Sequence, residues 1–265
     1  MNVEGSRVLV TGASRGIGAA LAESFAARGA EVVLVGRDVA ALAEVAQRVD
    51  GVARAVDLAD PVQVRGLVGE IEADLGPIDV LVNNAGVESA GSFHQLDEQT
   101  AEAVYRVNLL TPVELCRQVL PGMGGRGRGH IVNVSSLAAL SAFPGLAVYG
   151  SSKAGLTQFT TGLRADLRGG PIGTTLVELG PTTTDMLGRV MSYRPTADSF
   201  ARLYALKLLV EVSPRSVAQT TVEAVLVGRQ HVRLPRRAAI AAQLAASPRR
   251  TTQWLLTGVA HQQGR

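Results

Sequence analysis

The sequence contains few cysteines, aromatic residues and lysines, and each shortage narrows what the chain can be. Cys116 is the single cysteine, so no disulfide bond can form within the chain, and we expect a reducing, cytoplasmic location. Aromatic residues account for 4% of the 265 residues, while alanine, valine, leucine and glycine are abundant. Buried parallel strands covered by alanine-rich helices have this composition. Lys153 and Lys207 are the two lysines among 26 basic residues.

Long hydrophobic runs and an apolar leader are also missing. No stretch of about 18 apolar residues occurs, so we expect no membrane-spanning helix. Residues 1–7 lack the apolar core of a secretory signal. Apolar residues make up 46% of the chain and charged residues 18%, which excludes a disordered chain. The length predicts a single domain over residues 1–265.

The charge is unevenly distributed along the chain. Residues 189–265 carry 12 Lys and Arg against 3 Asp and Glu, whereas residues 1–188 carry 14 against 20. A basic C-terminal extension covers about residues 235–265, which we expect to pack on a neighbouring subunit or over the substrate entrance. Contact with a membrane surface is the alternative, because arginine pairs there flank apolar residues. Arginine and glycine alternate within residues 122–129, but this run is too short to indicate nucleic-acid binding, and we expect a flexible loop.

Short apolar runs alternate with helix-length segments. The runs are 8–10, 32–35, 52–56, 78–83, 130–135, 174–179 and 231–234, and helices are predicted over 61–75, 97–120, 149–168 and 216–227. Such alternation predicts an α/β protein with a doubly wound parallel sheet (a Rossmann fold) of about seven strands, with helices on both faces. Ligands of such sheets bind at the carboxyl ends of the strands, so functional residues are sought there.

A glycine-rich turn follows the first strand and precedes the first helix. Residues 11–18 read Thr-Gly-Ala-Ser-Arg-Gly-Ile-Gly. Gly12 allows a tight turn, Gly16 lets the backbone approach a pyrophosphate, and Gly18 allows the helix to pack closely on the sheet. The helix N-terminus attracts phosphate through its free N–H groups. We therefore predict a dinucleotide site that also includes Ser14, Arg15 and Ile17.

The end of the second strand bears on which dinucleotide binds. Gly36 stands where NAD-binding enzymes usually have an acidic residue, and Arg37 follows it. Arg15 and Arg37 suit a 2′-phosphate, because guanidinium groups bind phosphate through paired hydrogen bonds. NADP(H) is therefore favoured over NAD(H). Asp38 keeps NAD(H) open as an alternative, because its carboxylate could accept from the ribose.

Two further strand ends carry candidate cofactor contacts. Asp57, after the third strand, is predicted to accept a hydrogen bond from the adenine amino group, with Leu58 beside the ring. Asn84, Ala85 and Gly86, after the fourth strand, are predicted to line the cofactor. The asparagine before them, Asn83, is interpreted as structural.

Ser136 ends the fifth strand, and Tyr149 and Lys153 lie four residues apart on a predicted helix. Side chains at this spacing share a helical face, so the phenol and the ammonium point into one site. We expect the cation to lower the pKa of the phenol, which then exchanges a proton with a carbonyl oxygen or an alcohol. Ser136 is predicted to orient the carbonyl. Tyr149 and Lys153 are also predicted to contact the cofactor.

These motifs together resemble the core branch of the short-chain dehydrogenase/reductase family over nearly the whole chain. The resemblance implies an oxidoreductase in which Asn108 completes the catalytic group by holding a water that links Lys153 to solvent. It also implies that Gly180 and Thr184 contact the nicotinamide end. Leu179 stands where the family usually has proline. No metal site is expected.

Residues 186–212 are predicted to form a lid over the substrate, and their apolar side chains favour a hydrophobic ketone or aldehyde and its alcohol. Packing of this segment on another subunit is the alternative, and a homodimer or homotetramer is expected. A second interpretation of the whole chain is a catalytically silent regulator that binds a dinucleotide. Such a regulator should lack Ser136, Tyr149 or Lys153, and all three are present.

Overall fold

A computed structural model describes residues 1–235, and the predicted basic extension therefore lies outside the described residues, apart from Pro235. Within the described residues, seven strands form one parallel sheet. They are β1 (Arg7–Thr11), β2 (Glu31–Gly36), β3 (Val52–Ala55), β4 (Val80–Asn83), β5 (Gly129–Ser136), β6 (Ile172–Leu179) and β7 (His231–Leu234). Their order across the sheet is β3-β2-β1-β4-β5-β6-β7, and every neighbouring pair is parallel. The predicted doubly wound sheet is confirmed.

Ten α-helices connect the strands in the described part of the chain. They are α1 (Gly16–Ala26), α2 (Val39–Val49), α3 (Pro61–Val64), α4 (Leu67–Leu75), α5 (Glu98–Tyr105), α6 (Thr111–Arg126), α7 (Ala147–Asp166), α8 (Asp185–Met191), α9 (Arg194–Ala205) and α10 (Pro214–Leu226). A π-helical turn, Arg106–Leu110, joins α5 to α6.

Two apolar cores lie on opposite faces of the sheet. One contains Phe25 of α1, Leu42 of α2 and Val217 of α10 against strand residues such as Val8. The other joins α4, α6 and α7 to the opposite face. Because both faces are covered, β1 and β4 each have three consecutive buried apolar residues, Val8–Val10 and Val80–Val82, as parallel strands often do.

The strand order reverses between β1 and β4, which are neighbours although β2 and β3 separate them in the chain. Connections leave the two strands in opposite directions at this point and open a crevice at their carboxyl ends. The glycine-rich turn follows β1 directly, and Asn84 follows β4. The topology therefore brings the first and fourth strand-end motifs together.

Three predicted elements differ in detail. The helix expected over residues 61–75 is divided at Gly66, whose φ of +82° places it in the left-handed region. The helix expected over 97–120 contains the π-helical turn. The loop expected over residues 122–129 is wrong, because α6 continues past Pro121 to Arg126 before Gly127 ends it. The buried Met123 explains the difference, since it packs that last helical turn into the core.

Within residues 1–235, no helix combines the length and the apolar character needed to cross a membrane.

Candidate active site

A cavity of about 790 Å³ opens at the carboxyl ends of the central strands. Its walls include every residue predicted from the sequence to bind the cofactor: Gly12, Ser14, Arg15, Gly16, Ile17, Gly18, Arg37, Asp57, Leu58, Asn84, Ala85, Gly86, Tyr149, Lys153, Gly180 and Thr184. Ser136 also lines it. The structure thus places residues from six different strand ends around a single space.

The glycine-rich turn is packed so closely that side chains would not fit. A Cβ on Gly18 would lie 2.1 Å from the carbonyl oxygen of Gly12 and 2.7 Å from Nδ2 of Asn84. A Cβ on Gly12, whose φ is +65°, would lie 2.8 Å from Cα of Ala85. Glycine at these two positions therefore lets the turn and the start of α1 pack against each other and against the end of β4, while Gly12, Gly16 and Gly18 all line the cavity.

Hydrogen bonds hold the turn against the end of β4. The Thr11 hydroxyl accepts from the backbone N–H groups of Asn84 and Ala85, at 3.0 and 3.1 Å. The Asn84 amide donates in return to the carbonyl of Thr11, at 2.9 Å. Asn83 instead donates to Oδ1 of the buried Asn133 on β5, at 2.8 Å. Its position agrees with the structural role predicted for it.

Charged side chains surround one end of the cavity. Arg37 and Asp57 both line it. The Asp38 carboxylate accepts from the backbone N–H of Ala41, at 3.0 Å, and so caps α2. Arg15 forms an exposed ion pair with Asp185, 3.4 Å away, at the first residue of α8. The Arg15 guanidinium thus links the glycine-rich turn to α8 at the edge of the cavity.

The other end contains the predicted acid–base group. Tyr149 and Lys153 lie one turn apart on α7, and both line the cavity, as the spacing predicts. The Lys153 ammonium donates to the carbonyl of Val134 at 2.9 Å, and the residue is 4% exposed. The Ser136 hydroxyl accepts from the Ala138 N–H at 3.1 Å, donates to the Leu179 carbonyl at 3.4 Å and acts to lower the pKa of the Tyr149 phenol. The structure therefore brings all three side chains together.

Asn108 lies beside this group but not in the cavity wall. It is fully buried in the π-helical turn, where its side chain accepts from the Val87 N–H and donates to the Val87 carbonyl, both at 2.9 Å. It also donates to the Ser152 hydroxyl at 3.0 Å. A Cβ added to Gly86 would come within 3.3 Å of Asn108 Oδ1 and 3.5 Å of Lys153 Nζ. Gly86 therefore lies close to both the Asn108 and the Lys153 side chains.

Burial controls the protonation of both groups on α7. Desolvation raises the pKa of Tyr149, which the Ser136 hydrogen bond opposes and the Glu88 carboxylate reinforces. Desolvation lowers the pKa of Lys153 to about 8. The lowered phenol pKa expected from the sequence is therefore wrong for this structure. The Lys153 ammonium points at the Val134 carbonyl. For the Tyr149 phenol, withdrawal from water raises the pKa by more than its favourable contacts lower it.

Three charged residues near the cavity were not predicted from the sequence to belong to the site. Glu88 pairs with Arg189 of α8, and Asp185 pairs with Arg15. No spacing rule connects Glu88 with Arg189, which are 101 residues apart. The one local signal is the spacing of Asp185 and Arg189, which places both on the same face of a helix.

Residues 6–194 match the family model described as short chain dehydrogenase. The chain belongs to this family. Among curated short-chain dehydrogenase relatives, the ketoacyl reductase HetN of a Nostoc species is 36% identical over 226 residues, which cover 83% of this chain and 75% of the relative.

Solved short-chain dehydrogenases have the same fold. A metagenomic short-chain oxidoreductase in complex with NADP is 32% identical, with a TM-score of 0.70, and the match covers 87% of this chain and 93% of the other. A short-chain dehydrogenase/reductase from Burkholderia phymatum in complex with NAD is 25% identical, with a TM-score of 0.82 over 100% of both chains. As a short-chain dehydrogenase, the chain is an NAD(P)-dependent oxidoreductase acting on CH–OH groups.

Proposed function

We propose that this short-chain dehydrogenase interconverts a hydrophobic ketone or aldehyde and its alcohol with NADP(H), using Tyr149 as the general acid and base. The observation that supports this most strongly is that Ser136, Tyr149 and Lys153 line the same cavity as the glycine-rich turn. Substrate and cofactor can therefore meet beside the phenol.

Each side chain of the acid–base group has a distinct task in this proposal. Ser136 donates a hydrogen bond to the carbonyl oxygen and holds it next to the phenol. Tyr149 gives its proton to that oxygen as negative charge develops there, or takes the proton when the alcohol is oxidised. Lys153 stabilises the phenolate that forms. Asn108 binds the backbone of Val87, and in this proposal it would hold a water that links Lys153 to solvent.

The glycine turn and the strand ends fit a dinucleotide. Gly12, Gly16 and Gly18 would admit the pyrophosphate, and Asp57 would accept from the adenine. Gly180 and Thr184 would contact the carboxamide of the nicotinamide. When bound, the nicotinamide supplies or accepts the hydride, which completes the chemistry that these side chains lack.

The choice of NADP(H) over NAD(H) rests on two arginines. Arg15 and Arg37 both line the cavity, and the Asp38 carboxylate, the acidic alternative, already caps α2. Replacing both arginines by alanine should raise KM for NADPH about a hundredfold, because two charge-assisted contacts to the 2′-phosphate are lost. KM for NADH should change little, and steady-state kinetics with both cofactors measures the difference. An equal effect on both cofactors, or a wild-type preference for NADH, would contradict the assignment.

The substrate end of the cavity is apolar. Its walls include Leu146, Leu187 and Val190, and the ring of Phe143 packs edge-on against Phe200, with the ring centroids 5.1 Å apart. A heavily hydroxylated substrate would lose hydration against these apolar side chains and gain no hydrogen bonds from them. A hydrophobic carbonyl compound is therefore the class that fits.

Shortening Phe143 tests this class. Phe143→Ala should raise KM for an apolar ketone about tenfold and leave KM for NADPH unchanged, because apolar contact area is lost at one end of the cavity only. Phe93→Ala is the matched control, since that ring is 70% exposed outside the cavity walls. Equal KM values for the two variants would count against a hydrophobic substrate at this position.

A screen of carbonyl compounds and alcohols that follows the absorbance of the reduced cofactor tests the function as a whole. Turnover of apolar carbonyl compounds by the wild-type protein is expected. Cofactor binding without turnover of any compound would favour the alternative, a silent dinucleotide-binding regulator. Light scattering of the same preparation tests the accompanying proposal of a homodimer or homotetramer.

A further inference from the structure

The glycine-rich turn and the start of α8 meet at the edge of the cavity, where two contacts join them. Nη1 of Arg15 lies 3.4 Å from Oδ2 of Asp185, the first residue of α8. A Cβ built on Gly16 would lie 3.4 Å from Cγ2 of Thr184, the residue before Asp185. All four residues line the cavity. The Arg15 side chain is therefore turned towards α8 in this structure.

Arg15 is also one of the two arginines to which the proposed function assigns the 2′-phosphate of NADP(H). A guanidinium binds a phosphate or a carboxylate through the same N–H groups. Two anions at one guanidinium lie close together, and like charges at short distance repel. The Asp185 carboxylate and a 2′-phosphate therefore compete for Arg15, because each weakens the hold of the guanidinium on the other.

The exposure of the pair sets the size of this competition. The side chains of Arg15 and Asp185 are each 69% exposed. An exposed ion pair is weak, so Arg15 exchanges one anion for the other easily and the fold does not depend on the contact. Arg189, one turn after Asp185, is also positive, but its guanidinium donates to Glu88 through two nitrogens. Replacing Asp185 therefore releases Arg15 and leaves Arg189 engaged.

We propose that Asp185 is a specificity-determining residue for the cofactor, because it competes with the 2′-phosphate for the Arg15 guanidinium and so limits the preference for NADP(H) over NAD(H). Asp185 is a positioning residue, which acts on the cofactor through Arg15. NAD(H) carries a hydroxyl in place of that phosphate and is not subject to the competition. This inference rests on the proposed assignment of the 2′-phosphate to Arg15.

Asp185→Asn should strengthen NADPH binding about two- to fivefold and leave Kd for NADH nearly unchanged, as the loss of an exposed ion pair predicts. The quantity to compare is the ratio of Kd for NADH to Kd for NADPH. The two cofactors share the pyrophosphate and the nicotinamide, so a disturbance of α8 affects both and cancels in the ratio. Asp185→Glu keeps an acidic residue in the first turn of α8, so its ratio should stay near that of the wild type.

The same substitution without the guanidinium separates competition for Arg15 from any other effect of Asp185. In an Arg15→Ala background, Asp185→Asn should leave the ratio unchanged. Asp198→Asn is the matched control, because Asp198 forms an exposed ion pair with Arg194 within α9 and does not line the cavity. Its ratio should equal that of the wild type.

Fluorescence titrations with NADPH and NADH at low ionic strength, where exposed charges are least screened, give the Kd values without turnover. Calorimetry with 2′,5′-ADP and 5′-AMP repeats the comparison with ligands that differ only in the 2′-phosphate. A ratio that rises in Asp185→Asn, but not in the Arg15→Ala background, supports the inference. An unchanged or lower ratio in Asp185→Asn, or an equal rise without Arg15, overturns it.

Arg15→Ala alone distinguishes a failure of this inference from a failure of the proposed function. If Arg15→Ala weakens NADPH and not NADH, the cofactor assignment stands, and an unchanged ratio in Asp185→Asn defeats the inference alone. If Arg15→Ala affects neither cofactor, the assignment of the 2′-phosphate to Arg15 is wrong and the inference is wrong with it. A protein without turnover would defeat only the proposed oxidoreductase reaction, because the titrations need no substrate.

Discussion

Tyr149→Phe should lower kcat for carbonyl reduction about a thousandfold while Kd for NADPH stays nearly unchanged. The hydroxyl group is the only part of the side chain that is lost, and a well-placed general acid contributes about two to four orders of magnitude. The ring that remains still lines the cavity, so cofactor contacts are largely kept. Single-turnover kinetics and a cofactor-binding titration measure the two quantities.

Tyr105→Phe is the matched control for this change. The Tyr105 hydroxyl bonds Ser151 at 2.8 Å on the partly exposed side of α7, and the residue does not line the cavity. Its loss should leave kcat within about twofold of the wild-type value. Wild-type turnover by Tyr149→Phe would remove Tyr149 from the mechanism altogether.

Gly18→Ala should destabilise the protein and abolish cofactor binding together. The added Cβ would lie 2.1 Å from the Gly12 carbonyl oxygen, and backbone cannot move aside as a flexible side chain can. Separating α1 from the turn would also disturb the Asn84 amide, 2.7 Å from the same Cβ. We expect the free energy of unfolding to fall by about 3 kcal/mol, measured by chemical denaturation.

A second glycine provides the comparison. Gly69 lies inside α4, and nothing lies within 4 Å of a Cβ built on it. Gly69→Ala should therefore stabilise the protein by about 0.5 to 1 kcal/mol through helix propensity, with unchanged Kd for NADPH. A Gly18→Ala protein that binds NADPH normally would show that the close approach at Gly18 is not needed.

The sheet and the strand-end motifs were predictable from the sequence because both depend on local order. A strand, a turn and a helix in succession predict a parallel sheet, and parallel strands bring their carboxyl ends to one edge. Gly12, Asn84, Ser136 and Tyr149 can therefore be assigned to one site from the sequence alone.

The features that were missed depend on contacts between distant segments. Burial reverses the pKa shift expected for Tyr149, and burial is a property of the whole fold. The pairing of Glu88 with Arg189 requires α8 to lie across the cavity, which local patterns do not specify. The π-helical turn around Asn108 is stabilised by the Val87 backbone, which precedes it by 21 residues.

The two ion pairs on α8 have opposite polarity, because Asp185 binds Arg15 and Arg189 binds Glu88. The two α8 side chains lie one helical turn apart. If α8 slid by one turn, about 5.4 Å, towards Arg15, the Arg189 guanidinium would face the Arg15 guanidinium. A slide in the opposite direction would bring Asp185 towards the Glu88 carboxylate. Repulsion between like charges opposes both displacements, so the alternating signs select a single register for α8 across the cavity.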